Sequence, residues 1–249
     1  ALELKRMQLY LQFERPLSEA ELERIRPLVR RRGQHEPLQY IVGAVEFHGL
    51  RLRVDRRALI PRPETERLVE IVTQALTAAP VRVLDLGTGS GAIALALAKH
   101  YPDSLVTAVD ISGEALALAR ENAAATGLAE RVDFIGGNWF GQLPADRRYD
   151  LIVANPPYLS ATETAATAPE IKEYEPINAL TPADPDGLSD LQAIVTAAPR
   201  HLAPGGLLAL ETGATQHPAL LPLAGAAGFH RVESRPDLAG RDRYVLAFL

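Results

Sequence analysis

The chain has 249 residues, of which 47% are hydrophobic, and this length can bury a large core in one or two domains. Its formal net charge of −5 disfavours a non-specific nucleic-acid binder, because such proteins usually carry a basic face. The sequence contains no cysteine, which excludes disulfides, cysteine nucleophiles and thiolate metal sites.

The N-terminus is too polar for a signal peptide, and no apolar run reaches membrane-spanning length. We therefore expect a cytoplasmic protein that makes no membrane contact. The first residue is Ala1 rather than Met, from which we expect the sequence to be part of a longer chain.

The first sixty residues predict a helix followed by a β-hairpin. Ser18 is followed three positions later by Glu21, the pattern of a capping box at the start of a helix. Pro27 predicts a break or a kink in that helix. Between residues 38 and 60, short apolar stretches are divided by two glycines, which favours a hairpin.

From residue 64 onward, helical and strand patterns alternate. The predicted helices cover residues 65–76, 91–101, 113–127 and 188–202. The predicted strands cover 81–87, 104–110, 131–137, 149–155 and 206–212, and 228–235 and 243–249 predict a terminal hairpin. Such alternation with continuously apolar strands indicates an α/β fold, with a mostly parallel sheet covered on both faces.

The strand at 81–87 leads into a glycine-rich turn, "DLGTGSG". In an open α/β sheet, ligands bind outside the carboxyl ends of the strands, so this turn is a candidate cofactor site. Glycines let a ligand approach the backbone, and the helix that follows presents unpaired N–H groups. The candidate cofactor-binding residues of the turn are Gly87, Thr88, Gly89, Ser90 and Gly91.

Asp110 ends the next strand, nineteen residues after Gly91. A carboxylate at this position can accept hydrogen bonds from both hydroxyls of a ribose, which indicates a nucleoside-containing cofactor. The spacing G-x-G-x-G and the preceding Asp85 favour S-adenosylmethionine (AdoMet) over a dinucleotide, because AdoMet has no phosphate and carries an ammonium group. After the third strand, Asn138 could bond the edge of an adenine and Trp139 could pack on its face, although Trp139 could equally belong to the core.

The fourth strand ends in the corner "NPPY", residues 155–158. Asn155 and the carbonyl of Pro156 can accept the two N–H bonds of a planar NH₂ group, and the prolines offer no competing donor. The ring of Tyr158 can stack on the same planar group. An amide nitrogen is a poor nucleophile, so catalysis must position it and stabilise charge on it. The corner predicts a methyl-transfer site with catalytic residues Asn155, Pro156, Pro157 and Tyr158.

These motifs together resemble one family. "NPPY" behind "DLGTGSG" is similar to amide- and amino-directed AdoMet methyltransferases, and "QYIVG", "EFHG" and "LIPRPETE" resemble the HemK/PrmC protein-glutamine methyltransferases. The later "EPINAL", "DGLSDL" and "GRDRYVLA" fit as well, so the resemblance runs from about residue 15 to the end.

The resemblance implies methyl transfer from AdoMet, with S-adenosylhomocysteine as product, to the side-chain amide of the glutamine in the Gly-Gly-Gln loop of peptide-chain release factors. It implies that Asn155 contacts both cofactor and substrate. It also implies further substrate-pocket walls at Phe47 and along residues 60–66, among them Pro61, Arg62, Pro63 and Glu64. The reaction of this family needs no metal, and the six scattered histidines agree, because none has ligand spacing.

The resemblance also implies the domain organisation. Residues 1–35 would be part of an N-terminal helical substrate-recognition domain that is usually longer in this family, and 36–60 a β-hairpin linker. Residues 61–249 would form a seven-stranded, Rossmann-like AdoMet-dependent methyltransferase domain with a mostly parallel sheet and an antiparallel last strand. We expect a monomer that does not bind nucleic acid directly.

Three alternatives stay open at this point. The sister enzyme of the family acts on a glutamine of a large-subunit ribosomal protein, and the sequence does not separate it from the release-factor enzyme. An adenine-amino DNA methyltransferase is disfavoured by the acidic charge and by the lack of a target-recognition domain. A non-catalytic AdoMet-binding module is disfavoured by the intact corner at residues 155–158.

Overall fold

The structure is a computed structural model that describes residues 2–249. Its helices are α1 (Arg6–Leu11), α2 (Glu19–Gly33), α3 (Leu38–Val42), α4 (Pro63–Ala75), α5 (Ala92–His100), α6 (Gly113–Ala125), α7 (Ala161–Ala165), α8 (Pro169–Lys172), α9 (Ser189–Ala197) and α10 (His217–Ala227). Its strands are β1 (Ala44–Phe47), β2 (Leu50–Arg53), β3 (Arg82–Leu86), β4 (Leu105–Asp110), β5 (Val132–Gly136), β6 (Tyr149–Ala154), β7 (Leu202–Glu211), β8 (Arg231–Pro236) and β9 (Asp242–Phe248).

Seven of the strands form one sheet in the order β5-β4-β3-β6-β7-β9-β8. Strands β3 to β7 pair in parallel, and β9 is antiparallel to both of its neighbours. The predicted α/β class, the mostly parallel sheet and the terminal hairpin are therefore confirmed. Leu86 is in register with both Val109 and Ala154, so β3, β4 and β6 end at one edge of the sheet. The glycine-rich turn, Asp110 and the "NPPY" corner all emerge from that edge.

The sheet is covered on both faces, as its continuously apolar strands predict. Neighbouring residues of one strand belong to opposite cores, as Val83 and Leu84 do on β3, and both are fully buried. The first core packs the sheet against α4, α5 and the β1–β2 hairpin, and the second packs it against α9 and α10. A parallel sheet needs this double cover, because its strands carry apolar side chains on both faces.

The N-terminal helix α2 begins as predicted and ends later than its proline suggests. Ser18 caps it, with the reciprocal bond from the backbone of Ser18 to Glu21 in place. Of the break or kink predicted at Pro27, the break is wrong, because the helix continues through this residue to Gly33. The carbonyl that loses its partner belongs to exposed Glu23, where water can satisfy it.

The hairpin β1–β2 is confirmed and is fastened to the part of the chain that carries the seven-stranded sheet. His48 and Gly49 form its two-residue loop with φ angles of 48° and 67°, as in a type I′ turn. The backbone N–H of His48 donates to the Glu66 carboxylate at 2.6 Å, and Phe47 beside it is buried in the first core. The hairpin therefore holds the start of α4 against the sheet.

Several elements escape the sequence patterns. Helix α10 was missed because Pro222 interrupts its apolar pattern, although Pro218 at its first turn and Gly228 at its end are typical helix boundaries. Strand β7 begins at Leu202, four residues before its predicted start. Among residues 2–249, no helix combines the length and the apolar character that crossing a membrane requires. The predicted domain boundaries at residues 35 and 60 stay predictions.

A candidate active site at two adjoining cavities

The glycine-rich turn is shaped by the groups packed around it. Gly87 has a φ of 72°, and a Cβ atom on it would lie 3.4 Å from the Trp139 ring. A Cβ on Gly91, which has a φ of 84°, would lie 3.2 Å from the side chain of Ala119 on α6. The first glycine keeps space open beside the indole, whereas the last lets two helices approach each other.

Asp85 supports this turn from behind and does not line the cavity in front of it. Its Oδ2 atom accepts a hydrogen bond from the Thr88 hydroxyl at 2.6 Å and one from the backbone N–H of Ala94 at 3.1 Å. Burial raises the pKa of Asp85 to about 7, and within residues 2–249 its Oδ1 atom has no hydrogen-bond partner. The side chain of Asp85 points between the turn and α5, so its carboxylate does not line the cavity, although its presence before the turn favoured an ammonium-bearing cofactor in the sequence.

Asp110 is oriented by two backbone amides. Its Oδ2 atom accepts from the N–H of Gly89 and its Oδ1 atom from the N–H of Ser112, both at 2.8 Å. Burial raises its pKa, and these backbone bonds act in the opposite direction. Each carboxylate oxygen keeps a further lone pair for a ligand.

A cavity of about 470 Å³ opens in front of the turn. The predicted cofactor-binding residues that line it are Gly87, Thr88, Gly89, Ser90, Asp110, Asn138, Trp139 and Asn155. Gly91, the N-cap of α5, does not line it. The indole N–H of Trp139 donates to Asp190 at 3.2 Å and so fixes the ring, which also packs against the second core.

The "NPPY" corner lies between this cavity and a second one of about 260 Å³. Pro157 lines the first cavity, whereas Pro156 and Tyr158 line the second. Asn155 lines both, and among residues 2–249 only Leu59 and Ala179 share that property. The corner is thus the partition between two adjoining spaces.

The predicted substrate-pocket residues divide into two groups. Pro61 lines the first cavity, and Arg62 and Glu64 line the second. Phe47 and Pro63 line neither cavity. Phe47 is 1% exposed inside the first core, where it packs the hairpin on the sheet, and Pro63 is an exposed first residue of α4. The prediction that Phe47 and Pro63 are pocket walls is therefore wrong for these two cavities.

Glu211 and Arg243 beside the corner were missed by sequence reasoning, which reached Thr65 only as part of the "LIPRPETE" segment. The Nδ2 atom of Asn155 donates to the Thr65 hydroxyl at 3.1 Å, and that hydroxyl donates to Oε2 of Glu211 at 2.8 Å. The hydroxyl of Tyr158 donates to Oε1 of Glu211 at 3.2 Å and accepts from Arg243 at 3.2 Å. Burial raises the pKa of Glu211 and of Tyr158. Glu211 ends β7 at the carboxyl edge of the sheet, where ligands bind in this class of fold. That position is the sequence feature from which Glu211 could have been predicted as a site residue.

The first cavity carries groups suited to a nucleoside. Asp110 offers a ribose two oriented oxygens, the Trp139 face offers an apolar surface for a base, and Gly87 keeps the space beside it free of a side chain. No group of three or more His, Asp or Glu residues in the described part of the chain could hold a metal ion.

Two family models match the chain. The Methyltransferase small domain matches residues 64–172, and the PrmC N-terminal domain matches residues 1–43. The T. thermophilus 16S rRNA N2 G1207 methyltransferase, solved with AdoMet and guanosine, has a similar fold, with a TM-score of 0.59 at 21% identity. That alignment covers 82% of this chain and 49% of the other.

Curated relatives cover nearly all of the chain. A protein of Cereibacter sphaeroides named release factor glutamine methyltransferase is 47% identical over 94% of this chain and 82% of its own length. A protein of the same name from Geobacter sulfurreducens is 45% identical over 98% of this chain and 84% of its own length. With the two cavities, the sheet and the matched N-terminal segment, this identity shows that the chain belongs to the release factor glutamine methyltransferase family.

Proposed function

We propose that this enzyme transfers a methyl group from AdoMet to the side-chain amide nitrogen of a glutamine in the Gly-Gly-Gln loop of peptide-chain release factors. The observation that carries the proposal is the pair of cavities that adjoin at Asn155. Methyl transfer needs a donor and an acceptor on two sides of one point, and Asn155 contacts both spaces. The relatives' shared name supports the release factor over a ribosomal protein as substrate.

The first cavity would hold the cofactor. AdoMet supplies an electrophilic methyl group on a sulfonium. Asp110 would accept hydrogen bonds from its ribose, and Trp139 would cover its base. The backbone of residues 87–90 would lie against the cofactor. The fixed hydrogen bonds of Asp110 and Trp139 mean that these groups need little reorganisation when the ligand binds.

The second cavity would hold the glutamine side chain. Its NH₂ group has two N–H bonds, which the Asn155 side-chain oxygen and the Pro156 carbonyl would accept. Both acceptors gain importance as positive charge develops on the attacking nitrogen, so they stabilise the transition state more than the bound substrate. The prolines at 156 and 157 have no N–H that could compete for these acceptors.

The proposal places the enzyme in the cytoplasm, where release factors work, as a monomer that does not bind nucleic acid directly. The net charge of −5 disfavours the alternative of a duplex DNA substrate, because a polyanion binds best to a basic face.

The test is a methylation assay in which mass spectrometry detects the transferred methyl group. The protein is incubated with isotope-labelled AdoMet and, in separate reactions, a whole release factor, the same factor with its Gly-Gly-Gln glutamine replaced by alanine, a large-subunit ribosomal protein, and an adenine-containing duplex. Mass spectrometry of tryptic peptides should find one labelled methyl group on the Gly-Gly-Gln peptide of the unaltered release factor and on none of the other substrates. Label on the duplex or the ribosomal protein, with none on the release factor, would overturn the proposal.

A further inference from the structure

We propose that Thr65 and Glu211 are positioning residues that hold the amide of Asn155 with its oxygen facing the acceptor cavity. This inference rests on the proposed function, because it concerns how the same site orients its glutamine. Thr65 lies on α4 and Glu211 ends β7, so neither belongs to the corner that Asn155 starts. Both side chains are buried.

The direction of each hydrogen bond fixes the orientation of Asn155. An ionised carboxylate only accepts, so the Thr65 hydroxyl must give its single proton to Glu211, 2.8 Å away. The hydroxyl can then only accept from Asn155 at 3.1 Å. The atom of Asn155 that faces Thr65 must therefore be the NH₂ nitrogen, and the amide oxygen must lie on the opposite side.

The other oxygen of Glu211 strengthens this assignment. It accepts from the hydroxyl of Tyr158, which in turn accepts from Nη1 of Arg243, both at 3.2 Å. The guanidinium has only donors, so the phenol proton must point at Glu211. Glu211 thus accepts from Thr65 at one oxygen and from Tyr158 at the other, and the Arg243 charge opposes the rise in its pKa that burial causes.

The orientation of Asn155 decides whether the corner can hold a substrate amide. With its oxygen toward the cavity, Asn155 accepts a hydrogen bond from the glutamine NH₂. Turned by 180°, it would present its own NH₂ to that NH₂, and two donors would face each other. The isolated amide has little preference between these states, so the Thr65–Glu211 pair supplies the bias that selects the productive one.

A double-mutant cycle tests whether Thr65 acts through Asn155. The variants are Thr65→Val, which keeps the side-chain shape without its hydroxyl, Asn155→Ala, and the two together. Thr65→Ser keeps the hydroxyl and should restore activity. Thr73→Val is the matched control, because this threonine lies on the same helix and, within residues 2–249, its hydroxyl bonds only to the carbonyl of Glu70.

We expect Thr65→Val to lower kcat on the order of tenfold, the effect of one hydrogen bond, with KM for the release factor changed less than about twofold. In the Asn155→Ala background the same substitution should lower kcat little further, because there is no amide left to orient. Equal losses in both backgrounds, in folded proteins with unchanged AdoMet affinity, would overturn the inference.

A measurement without turnover separates this inference from the proposed function. The side-chain ¹⁵N–¹H₂ signals of Asn155, assigned by their loss in Asn155→Ala, should shift in Thr65→Val and Glu211→Gln and exchange faster with water. They should stay in place in Thr65→Ser and Thr73→Val. Unchanged signals in Thr65→Val would overturn the positioning role, whether or not the enzyme methylates a release factor.

Discussion

Asp110 has the clearest single-residue test. Asp110→Ala removes charge-assisted hydrogen bonds to a ribose, each worth roughly 1.5–3 kcal/mol, so AdoMet affinity measured by calorimetry should fall at least about tenfold. Asp133→Ala, an exposed carboxylate on the neighbouring strand, is the control and should change nothing. Unchanged affinity in a folded Asp110→Ala protein would contradict the ribose assignment.

Asn155 is the residue on which the chemistry depends. Asn155→Ala should lower kcat on the order of 10²–10³-fold, as loss of one transition-state hydrogen bond does, while AdoMet binding suffers less. Asn155→Asp keeps an acceptor oxygen but adds a charge. Residual activity above that of Asn155→Ala in the same steady-state assay would identify hydrogen-bond acceptance as the essential role, and equal activities would argue against it.

Asp85 should make the stability of the protein depend on pH. Its pKa rises from 3.8 to about 7 on folding because the carboxyl is buried, so the folded state binds a proton that the unfolded state releases. This contribution is fully present below the unfolded pKa and is lost as pH rises toward about 7. Asp85→Asn, a neutral isostere, should show a smaller fall in melting temperature between pH 5 and pH 8 than the parent protein. An identical fall in both would refute this origin.

At the scale of elements, a partly buried ion pair, whose carboxylate is fully buried, fastens the segment after the corner to the start of α4. Glu175 is buried and accepts from the Arg62 guanidinium and from the backbone N–H of Ile60. Arg62→Met leaves that carboxylate unpaired and should cost about 3 kcal/mol in chemical denaturation. Arg67→Met breaks the exposed pair with Glu70 and should cost no more than about 1 kcal/mol. Similar costs for both variants would mean that the buried pair is not structurally important.

For the whole molecule, the N-terminal helices are expected to serve recognition rather than stability. Helix α2 has no buried residue, and Phe13 and Leu11 before it are 79% and 77% exposed. Deleting residues 1–34 should raise KM for a whole release factor and leave AdoMet affinity nearly unchanged, because the glycine-rich turn lies in the other part of the chain. The measurements are steady-state kinetics and calorimetry.

The opposite result for the deletion is equally informative. The deleted segment contacts the rest of the chain through the ion pair Arg32–Glu170 at 2.5 Å and the hydrogen bond from the Tyr174 hydroxyl to the Gln34 carbonyl at 2.8 Å, among others. If these contacts held both cavities in shape, KM and AdoMet affinity would both deteriorate, and the helices would be structural support.

Features that are local along the chain could be predicted from the amino-acid order alone. Strand and helix periods are local, so the alternating pattern predicted the α/β sheet and its terminal hairpin. The glycine-rich turn, Asp110 and the "NPPY" corner each directly follow or end a strand, and parallel strands end at one edge. Their meeting around one cavity therefore follows from the sequence pattern together with the rule for parallel sheets.

Tertiary packing, by contrast, decides which way each side chain points and which residues from distant parts of the sequence it contacts. Asp85 and Phe47 have residue types suited to a ligand site. Packing nevertheless places the Asp85 side chain behind the glycine-rich turn and the Phe47 ring in the first core. Thr65 bonds Asn155 across 90 positions and Glu211 across 146 positions. Such contacts leave no periodic trace in the sequence, because they form only when separate elements pack against one another.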